Sequence, residues 1–312
     1  MKKILVLFNP SSAGGRSVKK RYRIEKKFIN HGVPYDLRVT GSENELKMLA
    51  CEGAESGRNI IAVGGDTTFT IVASEILKKK MGNKIKLGMI GTGSINDIVR
   101  GIDLENIDKM LKAVEAGESK KIDVGQVKIN PSGKIHYFLG TLGAGLASIV
   151  NRYIEQMKIN KNLITKVKPA MELTGFVSSV KKSFAQNEVP IKINIKYNNT
   201  DHEKEFTLLL FQNTPLYSRG MRLSPDASPY DNILDCSVIK TSSLTNTISL
   251  AVSAFRGKHT NRKELEVLRS VEFYATTEKE IDIVADGEII EDVKDFHVSL
   301  LKEGLNIFYP VE

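Results

Sequence analysis

The sequence predicts an α/β domain followed by an antiparallel β-sandwich domain with helical insertions. Up to about residue 122, short apolar runs alternate with segments of helical period. That alternation builds a parallel sheet with helices on both faces. Beyond it, β-type segments follow one another with turn residues between them, as in an antiparallel sandwich. The expected division is therefore 1–122 and 123–312.

The elements follow in order. Lys3–Phe8 is an apolar run and reads as the first strand, with Val18–Asn30 as the helix after it. Pro34–Val39 is a second strand. In "SENELKML", Ser42 and Glu45 have capping-box spacing, which predicts a helix to about Glu55. Asn59–Val63 and Ile85–Ile90 are strands, and Thr68–Lys79, Ile95–Arg100 and Glu105–Ala116 are helices. In the second part, strands are expected at Ile122–Ile129, Ile135–Leu142, Ile191–Tyr197, Glu205–Gln212, Ile233–Ile239, Val271–Ala275, Ile281–Ala285, His297–Leu301 and Leu305–Tyr309. Ser148–Phe184 and Leu244–Phe255 read as helical insertions.

Composition narrows the class. The chain has 312 residues, 41% hydrophobic and 26% charged, which suits a globular protein. No apolar run approaches the length of a spanning helix. The N-terminal "MKKILVLFNP" lacks the long apolar core and cleavage site of a secretory signal. Cys51 and Cys236 are the only cysteines; a reduced state and a cytoplasmic location are expected. The five histidines are scattered, which gives a zinc site or a Ser-His-Asp triad little support. The net charge of +8 favours anionic partners. No nucleic-acid-binding module is recognisable, so no nucleic-acid partner is expected.

Ligands of a parallel sheet sit at the carboxyl ends of its strands, where the loops are "NPSSAGGRS", "TGSEN", "GGDTT" and "GTGSIND". Small residues in the first loop let backbone N–H groups face an anion, with Asn9 holding the turn or touching the ligand. A tight strand-to-helix turn would want Gly14 and Gly15 as well. In "GGDTT", Asp66 stands at the start of a helix, and helix capping is the simpler alternative. "GTGSIND" adds Ser94 and Asn96 as donors and Asp97 as a second carboxylate. Further on, "SPDASPYDNILD" crowds Asp226, Asp231 and Asp235 into one loop. Such a set could hold a hard cation, although a turn-rich hairpin accounts for it without one. In "IDIVADGEII", Asp-Gly between apolar runs is a hairpin signal.

Together and in this order, "NPSSAGG", "GGDTT", "GTGSINDIVR", "SPDASPYDNILD" and "ADGE" resemble the signatures of the diacylglycerol kinase catalytic family. These bacterial lipid kinases are related to sphingosine kinases and more distantly to NAD kinases. "KKIDVGQV" followed by "YFLGTLGAG" resembles that family's entry into its second domain. The likeness covers nearly the whole chain. It implies ATP-dependent, Mg2+-assisted phosphorylation of a lipid alcohol in phospholipid metabolism, in a cleft between the two domains. It further implies that Asn9, Pro10, Ser11, Ser12, Thr40, Gly64, Gly65, Asp66, Thr67, Thr68, Ser94 and Asn96 line the nucleotide site. Asp97 would belong to the carboxylate network around the phosphates. Asp231, with the carbonyls of Ser228 and Ile233, would hold a Mg2+. Glu288 would accept the substrate proton, beside Asp286.

The chain departs from the family pattern at several points. Thr67 replaces the second glycine of GGDGT; if that position needed a positive φ, a β-branched residue would be strained by roughly 1–2 kcal/mol. Thr70 and Ile71 replace an Asn-Glu pair, Ala13 a glycine and Gly91 a proline, while Tyr230 and Asn232 alter the aspartate loop. A non-catalytic lipid- or nucleotide-binding relative is therefore the competing expectation. An NAD kinase-like enzyme fits less well, because of the late DGE and the PDA loop.

Between Asn151 and Lys182 there are seven Lys or Arg against two Glu, interspersed with apolar residues. A basic amphipathic stretch of this kind predicts peripheral contact with an anionic membrane. A solvated helical face is the plainer alternative. Edge strands leave a homodimer open.

Overall fold

A computed structural model describes residues 3–15, 17–159 and 168–311. An N-terminal α/β domain with parallel strands is followed by a C-terminal antiparallel sheet, as expected.

The first strands are β1 (Ile4–Phe8), β2 (Tyr35–Val39), β3 (Ile60–Gly64) and β4 (Leu87–Gly91). β1 and β3 are buried at every residue, the mark of a strand covered on both faces. They pair in parallel in the order β4-β3-β1-β2. The order reverses between β1 and β3, and such a switch point opens a crevice at the carboxyl ends of those two strands.

The helices here are α1 (Val18–Asn30), α2 (Glu43–Glu55), α3 (Asp66–Lys78), α4 (Asp97–Gly101) and α5 (Ile107–Ala116). Ser42 caps α2, its hydroxyl accepting the Glu45 N–H at 3.1 Å. The Glu45 carboxylate reaches back to the N–H of Gly41 rather than of Ser42. α3 buries Phe69, Val72, Ala73 and Ile76 against the sheet.

The second half contains β5 (Lys120–Asn130), β6 (Lys134–Phe138), β7 (Thr141–Gly145), α6 (Leu146–Ile159), α7 (Lys168–Ala185), β8 (Ile191–Tyr197), β9 (Thr200–Phe206), β10 (Leu208–Gln212), β11 (Leu234–Ile239), α8 (Leu244–Phe255), β12 (Leu265–Ser270), β13 (Glu272–Ala285) and β14 (Glu288–Ile307). Its pairings are antiparallel in the order β12-β11-β10-β7-β13-β14, with β5 and β6 beside β14 and β8 and β9 beside β13.

Three expectations about strands are corrected. The single strand expected over Ile135–Leu142 is two, β6 and β7, because the N–H groups of Leu139, Gly140 and Thr141 turn onto the carboxylate of Asp286 instead of a neighbouring strand. The pairs expected over Val271–Ala285 and His297–Tyr309 fuse into the long strands β13 and β14, which absorb register shifts instead of breaking. β12 and most of β9 were not expected; their charged residues hide the alternation.

The boundary at 122/123 falls within β5, and the first half's core takes in Leu305, Ile307 and Phe308 from the end of the chain. There Ile307 pairs in parallel with Leu87. Asp123, 1% exposed, clamps this junction. Its carboxylate accepts the N–H of Asn232 at 2.8 Å and of Glu303 at 2.7 Å.

Asp123→Ala strands both N–H groups. At about 1–3 kcal/mol for each unsatisfied group, it should lower the unfolding free energy by about 2–6 kcal/mol. Urea denaturation checks this, with a lower midpoint and an unchanged slope expected; an unmoved midpoint would show that Asp123 does not hold the junction.

Candidate active site

The loops after β1, β3 and β4 meet at the switch-point crevice. Asn9 receives the crossing through its N–H to the carbonyl of Val63. Its side-chain amide donates to Thr68 Oγ1 at 2.9 Å, while its carbonyl Oδ1 accepts the Ser11 N–H. The carbonyl of Gly64 accepts the N–H groups of Thr92 and Gly93. At Gly93 a Cβ would stand 2.8 Å from the Cα of Gly65, so only glycine lets these two loops touch.

A cleft of about 220 Å3 lies here, lined by Asn9, Ser11, Ser42, Glu43, Leu46, Thr67, Thr68 and Ile71. The free first-turn N–H groups and positive end of α3 face this edge, a ready anion site. A larger depression of about 410 Å3 lies by Lys3, Tyr35, Asp36 and Arg58. It sits at the amino ends of the strands, where Arg38 and Arg58 already pair with Asp36, so the smaller cleft is the site.

Thr67 does not adopt the left-handed conformation that would have made it strained. It is the second residue of α3, where helical angles suit any ordinary residue. Its hydroxyl donates to the carbonyl of Asp286 at 3.2 Å. Thr70 donates to Asp286 Oδ2 at 2.7 Å.

Three carboxylates organise the floor. Asp66 accepts the N–H groups of Asp97 and Ile98, both at 3.1 Å, and so caps α4. Burial, with Asp286 and Asp97 nearby, pushes its pKa up to about 7 against those two N–H donors. Asp97 accepts Arg100 Nη1 at 3.2 Å and the Arg219 N–H at 2.8 Å; burial raises its pKa. Asp286 is also raised by burial, despite its donors Thr141, Thr70, Leu139 and Gly140. Both oxygens of Asp97 and of Asp286, expected at the catalytic centre, accept hydrogen bonds from the protein itself.

Glu288 differs. It is the first residue of β14 and its side chain is 47% exposed. His136 Nδ1 stands 3.6 Å from Glu288 Oε1. This imidazole holds the Glu288 pKa below the usual carboxylate range against partial burial, with help from Lys47 and Lys134. Lys47 belongs to α2, and Glu288 follows directly on the Asp286–Gly287 turn that meets Thr67 at the start of α3.

The other expected residues of the first half belong to the loops at this edge without lining the cleft. Thr40 is buried, its hydroxyl on the carbonyl of Phe8. Ser94 is exposed, and Asn96 adopts a left-handed φ of 57° at the start of α4. Ser12 opens a 3-10 turn after Pro10. Ser228, Asp231 and Ile233 are not part of the cleft lining. Asp231 Oδ1 accepts the Ile233 N–H at 3.0 Å, and Oδ2 lies 3.3 Å from Arg269 Nη2. Arg269 also donates through Nε to Asp235 Oδ1 at 2.7 Å, so its guanidinium lies between two carboxylates of this segment.

His136 and Lys47 escaped sequence reasoning. Lys47 lies one turn into the helix that the capping box announces at this edge, which is a usable signal. His136 carries none, because only the β5–β6 hairpin brings it to Glu288.

A parallel sheet with a small cleft and a helix start at its switch point is joined to an antiparallel sheet whose Asp286–Gly287 turn rests on that helix. Residues 3–127 match the family model of the diacylglycerol kinase catalytic domain, and residues 140–307 that of the YegS C-terminal NAD kinase beta sandwich-like domain. The chain belongs to the diacylglycerol kinase catalytic-domain family with this YegS-type C-terminal domain. It is 26% identical over 294 residues to a diacylglycerol kinase of Bacillus subtilis (strain 168), covering 92% of this chain and 90% of that one. It is 25% identical over 290 residues to a diacylglycerol kinase of Mycobacterium tuberculosis (strain ATCC 25618 / H37Rv), covering 92% and 88%. A solved structure of a diacylglycerol kinase from Bacillus anthracis str. Sterne superposes with a TM-score of 0.71 over 99% of this chain and 97% of that one, at 18% identity. That last likeness concerns the fold alone.

The raised pKa of Asp66 has a thermodynamic sign. Between about pH 4 and 7 the unfolded chain loses a proton that the folded chain keeps, so this group costs stability as pH rises. At 1.36 kcal/mol per unit the cost is about 4 kcal/mol at most, reached near pH 7. Asp66→Asn should therefore gain on wild type from pH 4 to 7 in urea denaturation and level off above it; a pH-independent difference would contradict the shift.

Proposed function

We propose that this protein is a lipid kinase, transferring the γ-phosphoryl group of ATP to the hydroxyl of a lipid alcohol of the diacylglycerol type. The observation that carries the reading is Glu288: an ionised, half-exposed carboxylate one residue beyond the turn that rests on the start of α3. The relatives named diacylglycerol kinase support the same chemistry.

The cleft volume of about 220 Å3 suits phosphates rather than a whole nucleotide, whose remainder would lie along the rim. The N–H groups at the start of α3, with Asn9 and Ser11, would orient the phosphate oxygens. Lys47, paired with Glu43 at 2.6 Å, adds a cation within the field of Glu288. Mg2+ entering with the nucleotide would neutralise charge on the transferring phosphates; the Asp231 loop, already occupied, is not assigned to it.

The lipid oxygen forms its bond to the γ-phosphorus as the bond to the β-phosphate oxygen breaks, and ADP leaves. The hydroxyl proton passes to Glu288, which returns it to solvent. Such proton transfer is typically worth about 10^2–10^4 in rate. The downward shift set by His136 keeps Glu288 ionised at neutral pH and ready to accept.

Labelled ATP, Mg2+ and diacylglycerol vesicles test the reading. Wild type should label lipid, and Glu288→Ala should lower kcat by about 10^2–10^4 while ATP affinity stays. Absence of transfer with retained lipid or nucleotide binding would favour the non-catalytic reading.

A lipid substrate also requires a bilayer partner. The basic stretch Asn151–Lys182 covers parts of α6 and α7; residues 160–167, and most side chains between 154 and 176, lie outside the described residues. Among the described residues no helix is long and apolar enough to cross a membrane. Docking through this stretch should show as binding to anionic vesicles that weakens steeply with salt; binding indifferent to salt would rule the docking out.

A further inference from the structure

Two residues at which this chain departs from the pattern of its family, Thr67 and Thr70, meet at one point. Both send their hydroxyls out of α3 to Asp286, Thr67 to its carbonyl at 3.2 Å and Thr70 to its carboxylate at 2.7 Å. A threonine inside a helix ordinarily bonds back to a carbonyl one turn earlier or to water. Neither does so here. Thr70 is 5% exposed, so its hydroxyl has no solvent to turn to.

Asp286 and Gly287, with φ of 45° and 95°, are the two central residues of the hairpin turn between the paired Ala285 and Glu288. Both φ values are positive, as a type I′ turn requires. A Cβ on Gly287 would stand 3.2 Å from Thr67 Oγ1, so the turn is seated directly on the start of α3. Glu288 is the next residue along. Moving this turn moves Glu288 relative to the phosphate cradle.

We infer that Thr67 and Thr70 form a two-hydroxyl latch that binds the Asp286–Gly287 turn to the nucleotide helix and fixes the distance between Glu288 and the bound phosphates. They are positioning residues, acting through Glu288. The cleft is thereby preset by hydrogen bonds within the protein, where a glycine at position 67 would leave the turn without its outer tie. Glu288's part rests on the kinase reading; the latch itself does not.

Thr70→Val and Thr67→Val keep shape and remove one hydroxyl each. Hydrogen exchange of the segment from Ile283 to Ile290 reads the latch without any activity. It should quicken about fivefold to tenfold in the double variant; unchanged exchange would overturn the latch. In lipid phosphorylation, Thr70→Val, whose side chain is not part of the cleft lining, should lose about tenfold or more in kcat, with the KM for ATP within about twofold. Thr70→Ser should recover most of the loss that Thr70→Val causes. Placed on Glu288→Gln, Thr70→Val should add little further loss, because both act through one group. A loss that multiplies fully with Glu288→Gln, or that falls on the KM for ATP alone, would overturn the positioning role. A wild type that transfers no phosphate would sink the kinase reading and Glu288's part, while hydrogen exchange would still decide the latch.

Discussion

A carboxylate largely withdrawn from water must be met by donors from several directions or lose its charge, and Asp286 is met from two halves of the molecule. Leu139, Gly140 and Thr141 offer consecutive backbone N–H groups from one side, and Thr70 offers its hydroxyl from the other. These N–H groups are lost to the sheet, which is why β6 ends and β7 begins where it does. The hydroxyl ties the antiparallel sheet to α3. Strand boundaries, the closure of the cleft and the place of Glu288 all follow from satisfying one buried group.

The same logic sorts the acidic residues by role. Asp66, Asp97 and Asp286 are each surrounded by donors that fix loops and helix starts, and burial pushes all three toward the neutral form. Glu288 is shifted in the opposite direction by an imidazole. Groups whose environments drive their pKa values apart divide the work of a site between them. Here Asp66, Asp97 and Asp286 hold loops and helix starts, while Glu288 stays exposed beside His136.

The parallel half was legible in the sequence because β1 and β3 are buried on both faces and read as apolar runs, and because Ser42 caps the helix it was expected to cap. Ladders in the antiparallel half are set by partners far along the chain, so a break at Leu139–Gly140 and fusion across Thr276–Ile281 leave no local mark. Glycine-rich loops announced the crevice, and Asp-Gly announced the turn. What could not be read was which side chains would be consumed by their neighbours. Asp97 and Asp286 look identical in kind to Glu288 until the N–H groups around them are placed. Thr67 looked like damage because the family's glycine suggested a strained backbone, whereas the helix simply begins one residue before it.

The twenty residues of β14 run from the cleft to the far core. Near their end Asn306 donates to the carbonyl of Gly82, Ile307 pairs with Leu87, and Phe308 closes beneath the first sheet. The first hundred residues leave the ribosome long before this plug exists. Their hydrophobic interior therefore stays open on one side throughout synthesis, and the N-terminal half cannot complete itself while the rest is being made. Folding waits for a contact between distant parts of the chain, a slow kind of closure. A nascent chain halted before Leu305 would carry every loop of the crevice and still leave the edge of β4 and the apolar surface beside it uncovered.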